Sequence, residues 1–176
     1  MHVLPPDWAQ RYSAFLADPA TVAAVAADDD EAFFGSYPRV LNPTTSSSTL
    51  PKPLSTCRVG LLSSAGIYGV GQPPFRWQGM FGDTSARALP AEGLDAFSIA
   101  QGHYDENAVR DDLNVLVPVR PLQALAKEGF IAELAGPIYS IDGYCTDAAG
   151  LVRDAGGEIL AGFRAAAVDA ALLVPV

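Results

Sequence analysis

The segment FSIAQGHYDENAVRDDLNVLVPV, residues 97–119, decides the fold because it encloses a polar cluster between two apolar runs. The runs at 97–100 and 115–119 have the length and composition of short buried strands. The polar cluster therefore falls on the loop where a strand ends, and ligands of open α/β sheets bind at the carboxyl ends of the strands. We predict that this cluster carries the chemistry and that the rest of the chain positions it.

Composition predicts one folded domain. The chain has 176 residues, of which 49% are hydrophobic and 18% charged, which is enough apolar content to bury a core. The net charge of -9 repels nucleic-acid phosphates and anionic lipids, so neither is an expected partner. The sequence shows no signal peptide and no apolar run that could cross a bilayer, so we expect a cytoplasmic protein. The two cysteines are too few for a disulfide framework.

The N-terminal part, residues 1–55, is predicted to be a helical segment followed by an extended arm. Asp7 and Asp18 are candidate helix caps, and Pro19 after Asp18 is typical of a first helical position. We expect the second helix to fray near Gly35. The stretch NPTTSSSTLPKP, residues 42–53, is rich in hydroxyl groups and proline, which indicates a linker or clamp.

Residues 56–176 are predicted to form an α/β domain that packs with the N-terminal segment into one compact unit. Buried strands are expected at 58–63, 137–141 and 168–176, with a crossover helix from Pro121 to Gly129 and a partly helical stretch at 146–167. The glycines at 66, 69 and 71 lack the GxGxxG spacing of a dinucleotide site. The fold class is therefore α/β, with an open, mostly parallel sheet flanked by helices.

The segment GDTSARALP, residues 82–90, places Asp83, Ser85 and Arg87 at alternate positions. In an extended chain these side chains point the same way. Arg87 could bind a small carboxylate with its two-pronged guanidinium while Asp83 orients it. A surface ion pair is the alternative, and the segment alone does not decide between the two.

His103 and Cys145 are the candidates for proton transfer and thiol chemistry. An imidazole titrates near neutral pH, and Asp105 could orient the ring or hold its charge. The alternative is a structural histidine in a buried turn. Cys145 lies in the polar loop DGYCTD, where an inert thiol is the simpler interpretation because no base flanks it. One internal histidine and scattered acids do not form a metal site.

Three motifs together resemble a known family. AGIYGVGQPPF, GDTSARALP and GHYDENAVRDDLNVLVPVRPLQAL are similar to the selenoprotein B family of glycine, sarcosine and betaine reductases and to the related proline reductase subunit. The similarity covers about residues 58–176. Its most specific pattern consists of Gly102, His103, Tyr104, Asp105, Asp112, Asn114, Val117, Pro118 and Leu122.

The resemblance implies an α/β reductase subunit that cleaves a C–N bond of an amino-acid-type substrate, with a selenocysteine or cysteine attacking the α-carbon. It implies no cofactor in this chain and a pyruvoyl group on a partner subunit, which can activate the substrate amine as an imine. His103, Asp105 and Cys145 are then catalytic candidates. The substrate-binding candidates are Asp83, Ser85, Arg87 and Asn114.

The chain departs from the family pattern at its last strand, because no redox residue follows Val176. We expect that the chain is truncated at an in-frame selenocysteine codon that was read as a stop. A domain that simply ends on a strand is the alternative. The competing interpretation of the function is a non-catalytic subunit that binds a partner and a small ligand. The expected partner is another reductase subunit or a second copy of this chain in a homo-oligomer.

Overall fold

The computed structural model describes residues 4–39, 48–50, 52–76, 81–92, 96–100 and 106–176. The strands within these residues are β1 (Arg58–Ser63), β2 (Ile67–Gly69), β3 (Ala86–Leu89), β4 (Phe97–Ile99), β5 (Glu133–Leu134), β6 (Ile138–Ile141) and β7 (Ala170–Val174). The helices are α1 (Trp8–Ala17), α2 (Pro19–Ala27), α3 (Asp30–Ser36), α4 (Glu106–Asp111), α5 (Val119–Lys127), α6 (Ala148–Leu151) and α7 (Gly157–Ala165).

In the part of the chain that the structure describes, the main sheet has five strands and is mostly parallel, as predicted. β1 lies at its centre and pairs in parallel with β5, β6 and β7, while β3 runs antiparallel along the far side of β6. β1, β6 and β7 therefore end together, and β3 begins there. We call this edge, marked by Ser63, Ile141 and Val174, the carboxyl edge. The opposite edge, where β1 and β6 begin, is the amino edge.

The two faces of the sheet bury separate apolar clusters because side chains alternate along β1. Val59 and Leu61 join one core with α5 and the β2–β4 ribbon. Leu62 faces the other side, where Tyr139 and Ile159 form a second cluster beneath α6 and α7. Helices thus cover both faces, which confirms the predicted α/β class.

Of the two strands predicted within residues 97–119, the structure contains the first and lacks the second. The run at 97–100 contains strand β4, but β4 pairs antiparallel with β2 in a separate two-stranded ribbon. The predicted strand at 115–119 is wrong. Leu113–Val115 form a 3₁₀ turn, and α5 begins at Val119. Leu116 and Val117 are buried in the core without belonging to a strand, because a short apolar run fits a packed turn as well as a strand.

The last helical stretch contains the irregularity expected from its glycines. A π-helical turn at Val152–Gly156 separates α6 from α7. The predicted helix is confirmed as α5, although it follows a 3₁₀ turn and not a strand, and Gly129 follows it with a left-handed φ of 80°. β7 is confirmed as a strand, but its expected burial is wrong. It lies at the sheet margin, where Leu172 and Leu173 are 39% and 62% exposed.

Residues 4–39, the first stretch that the structure describes, form three helices rather than two. Asp18 caps α2 with its carboxylate and Pro19 occupies the first helical position, as predicted. Asp7 makes no capping hydrogen bond and instead pairs with Arg11. The expected fraying near Gly35 does not occur, because Asp29 caps α3 and Phe33 is fully buried. Among the described helices, none is long and apolar enough to span a membrane.

Candidate functional site

The carboxyl edge gathers the segments singled out in the sequence. The backbone N–H of Val176 donates to Ser64 Oγ (2.9 Å), so the last described residue lies beside the end of β1. Gly66 N donates to Ile141 O, and Ala100 N donates to Gly66 O (3.0 Å). The strand that precedes residues 101–105 therefore ends at this edge. His103 and Asp105 themselves lie outside the described residues, and their catalytic roles stay a prediction.

Asp83, Ser85 and Arg87 converge at the start of β3, as their alternate spacing predicts. Ser85 Oγ donates to Asp83 Oδ1, and Arg87 Nη1 donates to Ser85 Oγ at 2.7 Å. Arg87 Nη2 also lies 3.9 Å from Asp83 Oδ2. All three side chains thus form one connected network.

The guanidinium of Arg87 is occupied by protein acceptors. Its Nε donates to Pro73 O (2.9 Å), Nη2 to Pro74 O (3.1 Å), and Nη1 to Ala86 O (2.9 Å) as well as to Ser85. The group also stacks over the ring of Phe75, 4.2 Å from its centroid. Arg87 is 8% exposed. Arg87 therefore holds in place the loop at residues 72–76, which we call the proline loop. Its binding of a substrate carboxylate stays a prediction.

Asp83 is buried and ionised. Burial alone raises the pKa of this carboxyl, but hydrogen bonds from Ser85 and from the backbone N–H of Arg76, together with the charge of Arg87, outweigh it and lower the pKa below its usual range. The backbone N–H of Asp83 donates to Asp142 Oδ2 (3.1 Å). The network is therefore tied to the loop that follows β6.

Cys145 lies on the loop that follows β6, as its sequence position predicts, and we call residues 142–147 the cysteine loop. The surroundings of its thiol oppose ionisation. Burial raises the pKa of the thiol to about 11, and the charges of Asp142, Asp147 and Asp83 act in the same direction. The thiol donates to Asp147 O at 3.8 Å, and a backbone hydrogen bond with Asp147 lowers the pKa only in part. A thiol in this state is a poor nucleophile at neutral pH, so its catalytic role also stays a prediction.

Helices α1 and α3 cover the loop that carries Cys145. Tyr37 OH donates to Thr146 O (2.7 Å), and Tyr12 OH shares a hydrogen bond of 3.3 Å with Thr146 Oγ1. Tyr144 OH donates to Asp30 Oδ1 (2.9 Å). A small cavity of about 110 Å³ remains between helix and loop, and its lining includes Phe34, Tyr37, Tyr144 and Cys145.

Asn114 is placed apart from this network. Its side-chain amide donates to Asp112 Oδ1 (2.7 Å) and its carbonyl oxygen accepts from Arg120 N (3.0 Å). Both ends of the side chain are thus used to fix the turn into α5. A substrate contact by Asn114 stays a prediction.

A second cavity, of about 410 Å³, lies at the amino edge. Arg58, Glu92 and Glu133 line it together with the backbone around Pro137, and Arg58 Nε pairs with Glu133 at 2.8 Å. Across residues 4–39, 48–50, 52–76, 81–92, 96–100 and 106–176, no group of histidine, cysteine or carboxylate side chains has the arrangement of a metal site.

Sequence reasoning missed three participants at the carboxyl edge. Asp142 and Arg76 each form a hydrogen bond with Asp83 of the network. Thr146, in the cysteine loop, forms one with Tyr12. The motif DGYCTD does indicate a polar loop after β6, which could have suggested Asp142 and Thr146. No pattern indicates Arg76, because its contact with Asp83 depends on the turn at the two prolines.

The model of the glycine/sarcosine/betaine reductase selenoprotein B family matches residues 30–176. The chain belongs to this family. The resemblance inferred from the three motifs is therefore confirmed, and the match includes the whole α/β domain and α3. It also includes every residue of the Asp83–Ser85–Arg87 network.

Two curated relatives match most of the chain. D-proline reductase subunit gamma of Acetoanaerobium sticklandii is 32% identical over 123 residues, which are 69% of this chain and 50% of the relative. Glycine reductase complex component B subunit gamma of Carboxydothermus hydrogenoformans is 30% identical over 125 residues, or 69% of this chain and 28% of the relative. The chain thus spans at most half the length of these relatives. No solved structure matches it.

Proposed function

We propose that the chain is part of a reductase subunit that helps to cleave the C–N bond of a small amino-acid-type substrate. The observation that carries this proposal is the family match over residues 30–176, together with relatives whose names place them in D-proline and glycine reductases. The substrate would lie at the carboxyl edge, because that is where the network of Asp83 and the cysteine loop meet.

The redox residue would be a selenocysteine or cysteine beyond Val176, in a longer product of the gene. Cys57 is fully buried and therefore out of reach of a substrate, and the raised pKa of Cys145 leaves that thiol without the ionised form that a nucleophile needs. Val176 hydrogen-bonds to Ser64 at the carboxyl edge, so a residue that follows it would begin at the proposed site.

His103 would carry a proton or hold the attacking anion ionised, with Asp105 orienting its ring. Support comes from Ala100, which lies at the carboxyl edge only three residues earlier in the chain. Three residues span at most about 11 Å. The network of Asp83, Ser85 and Arg87 would then serve the substrate by fixing the proline loop beside it.

The partner would be another subunit of the reductase, or a second copy of this chain. The carboxylates of Asp142 and Asp147, which lie close enough to raise the pKa of Cys145, would suit the ammonium group of the incoming amino acid. After that group loses a proton, a pyruvoyl group on the partner would supply a carbonyl able to condense with the amine and release water.

Intact-mass spectrometry of the product isolated from its native cells tests this proposal, with selenium analysis and the gene read beyond codon 176. We expect a species heavier than 18.4 kDa that contains selenium or an additional cysteine. A native product of 18.4 kDa with no coding sequence in frame after Val176 would contradict it.

A non-catalytic binding subunit is the second candidate, and the protonated state of Cys145 favours it. Such a subunit would keep the carboxyl edge as a binding surface without a nucleophile. The same mass measurement separates the two candidates, because only the reductase requires the longer species.

A further inference from the structure

We propose that Arg76, rather than Arg87, is the cation that binds the carboxylate of the substrate. This inference rests on the proposed function for the type of substrate, and on the geometry of the proline loop for the residue. It assigns Arg87 the task of holding the loop that presents Arg76.

The guanidinium of Arg87 has few hydrogen-bond donors free for a ligand. Four of its hydrogen bonds go to protein oxygens, three of them main-chain carbonyls, and the ring of Phe75 covers its face. A substrate carboxylate could replace these acceptors only by opening the loop. Leaving buried carbonyls without donors costs about 1–3 kcal/mol each, so this exchange is unfavourable.

The backbone of Arg76 is fixed by a hydrogen bond, whereas its side chain is exposed to solvent. Its N–H donates to Asp83 Oδ2 at 2.7 Å, and Phe75 next to it is 4% exposed. By contrast, 74% of its side chain is exposed, and Nε lies 3.7 Å from Asp83 Oδ2, which is longer than a hydrogen bond. The loop therefore fixes the origin of the side chain and leaves its guanidinium available.

Asp83 cannot fully neutralise Arg76, because its carboxylate already serves other groups. Oδ1 accepts from both the N–H and the hydroxyl of Ser85, while Oδ2 accepts from the N–H of Arg76. A substrate carboxylate could offer Arg76 two parallel hydrogen bonds, which is the strongest arrangement for this pair.

The negative charge around the site means that a substrate carboxylate needs a cation to bind there. Asp83 and Asp142 are buried beside the network, and the whole chain carries a net charge of -9, so a carboxylate that approaches is repelled. Among the described residues, Arg76 is an exposed cation attached to this network, whereas Arg153 at the neighbouring helix pairs with Asp154 at 2.7 Å. Arg76 thus counters the repulsion at the point where the loop reaches solvent.

The test compares Arg76→Gln, Arg76→Lys and Arg164→Gln in the reductase complex purified with the native full-length subunit. Arg164 is an exposed cation near the end of α7, toward the amino edge, so its variant controls for the loss of one positive charge. The probes are D-proline and glycine, with D-prolinamide and glycinamide as matched ligands that lack the carboxylate. Binding is measured by calorimetry, and turnover is measured separately.

We expect Arg76→Gln to weaken binding of the acid probe by about ten- to hundredfold, the usual worth of a charged hydrogen-bonded pair. KM should rise by a similar factor while kcat changes little. Binding of the amide should be the same in Arg76→Gln and wild type. Arg76→Lys should recover part of the loss, since lysine keeps the charge but not the two-pronged geometry. Arg164→Gln should match the wild type.

Equal binding of the acid probe by Arg76→Gln and wild type would overturn the inference and leave the proposed function intact. If the wild type binds the acid probe more tightly than Arg76→Gln does but turns over neither acid, the proposed function is refuted and the inference is supported. A wild-type complex that neither binds nor reduces either acid would refute both.

Discussion

At the scale of single residues, the surroundings of Cys145 decide whether its thiol can react. Burial, with the charges of three carboxylates, holds the proton on sulfur and raises the pKa to about 11. A redox-active cysteine needs the reverse, a nearby cation or a helix N-terminus that favours the thiolate.

The Asp147→Asn variant should lower the pKa of Cys145, because it removes one repelling charge while asparagine can still cap α6 through the Gly150 N–H. The measurement is the pH dependence of iodoacetamide alkylation at Cys145, followed by peptide mass spectrometry. Alkylation of the wild type should be slow up to pH 9. An apparent pKa of 8.5 or lower in the wild type would contradict this description of the loop.

Asp83→Asn should destabilise the protein at pH 7 by about 2–4 kcal/mol, since a buried charged hydrogen-bond acceptor is lost and an amide donor meets the N–H groups of Ser85 and Arg76. The folded pKa of Asp83 is lowered, so its contribution is complete above the unfolded value of about 3.9 and is lost as the pH falls through the folded value. Urea unfolding at pH 7 and pH 3 measures the difference.

The gap between wild type and Asp83→Asn should therefore shrink at pH 3. Asp111→Asn, at the exposed end of α4, is the matched control and should change little at either pH. A gap of the same size at both pH values would mean that the charge of Asp83 does not stabilise the fold.

The residues of this network were predictable only in part. Alternate spacing correctly indicated that Asp83, Ser85 and Arg87 share a side of the chain. The main use of Arg87 was not predictable, because its acceptors are carbonyl oxygens of Pro73 and Pro74, and any residue type carries a carbonyl.

At the scale of elements, α7 shows why one glycine can be replaced and another cannot. Gly157 has helical dihedrals (φ -63°, ψ -45°), and a Cβ there would meet nothing within 4 Å. A Cβ on Gly162 would lie 1.7 Å from the hydroxyl oxygen of Tyr139 on the sheet. The close approach of helix and sheet therefore depends on Gly162.

Gly157→Ala should stabilise the protein by about 0.5–1 kcal/mol, because alanine loses less conformational entropy in a helix. Gly162→Ala on the same helix should destabilise it by about 2 kcal/mol or more, since Tyr139 must move within a packed core. Thermal unfolding of both variants measures the two effects. Equal shifts in the same direction would show that α7 does not pack as described.

Elements with flanking signals were the predictable ones. The cap at Asp18, the proline at 19 and the glycine at 129 each mark a helix end with a physical cause. The run at 115–119 has no such signal, and tertiary packing made it a turn and a helix start. The third helix, α3, was not predicted, because its apolar residues follow directly on the acidic run at 28–31.

At the scale of the whole molecule, β1 and β7 have similar apolar sequences but different positions. Leu61 in β1 is fully buried at the centre of the sheet, while Leu173 in β7 is 62% exposed at its margin. Sequence could not distinguish the two, because apolar content does not say how many neighbours a strand has.

Leu61→Ala should cost about 2–5 kcal/mol of unfolding free energy, the usual loss for a fully buried leucine. Leu173→Ala should cost about 0.5 kcal/mol. Urea unfolding of both variants provides the comparison. Similar losses at the two positions would indicate that β7 is covered in solution.

The central claim is that ligands bind at the carboxyl edge rather than in the larger cavity at the amino edge. Hydrogen–deuterium exchange of the reductase complex, with and without D-proline or glycine, tests it most directly. We expect slower exchange at residues 72–76 and 142–147 when the substrate is present. Slower exchange at 88–92 and 133–137, with no change at the carboxyl edge, would contradict the claim.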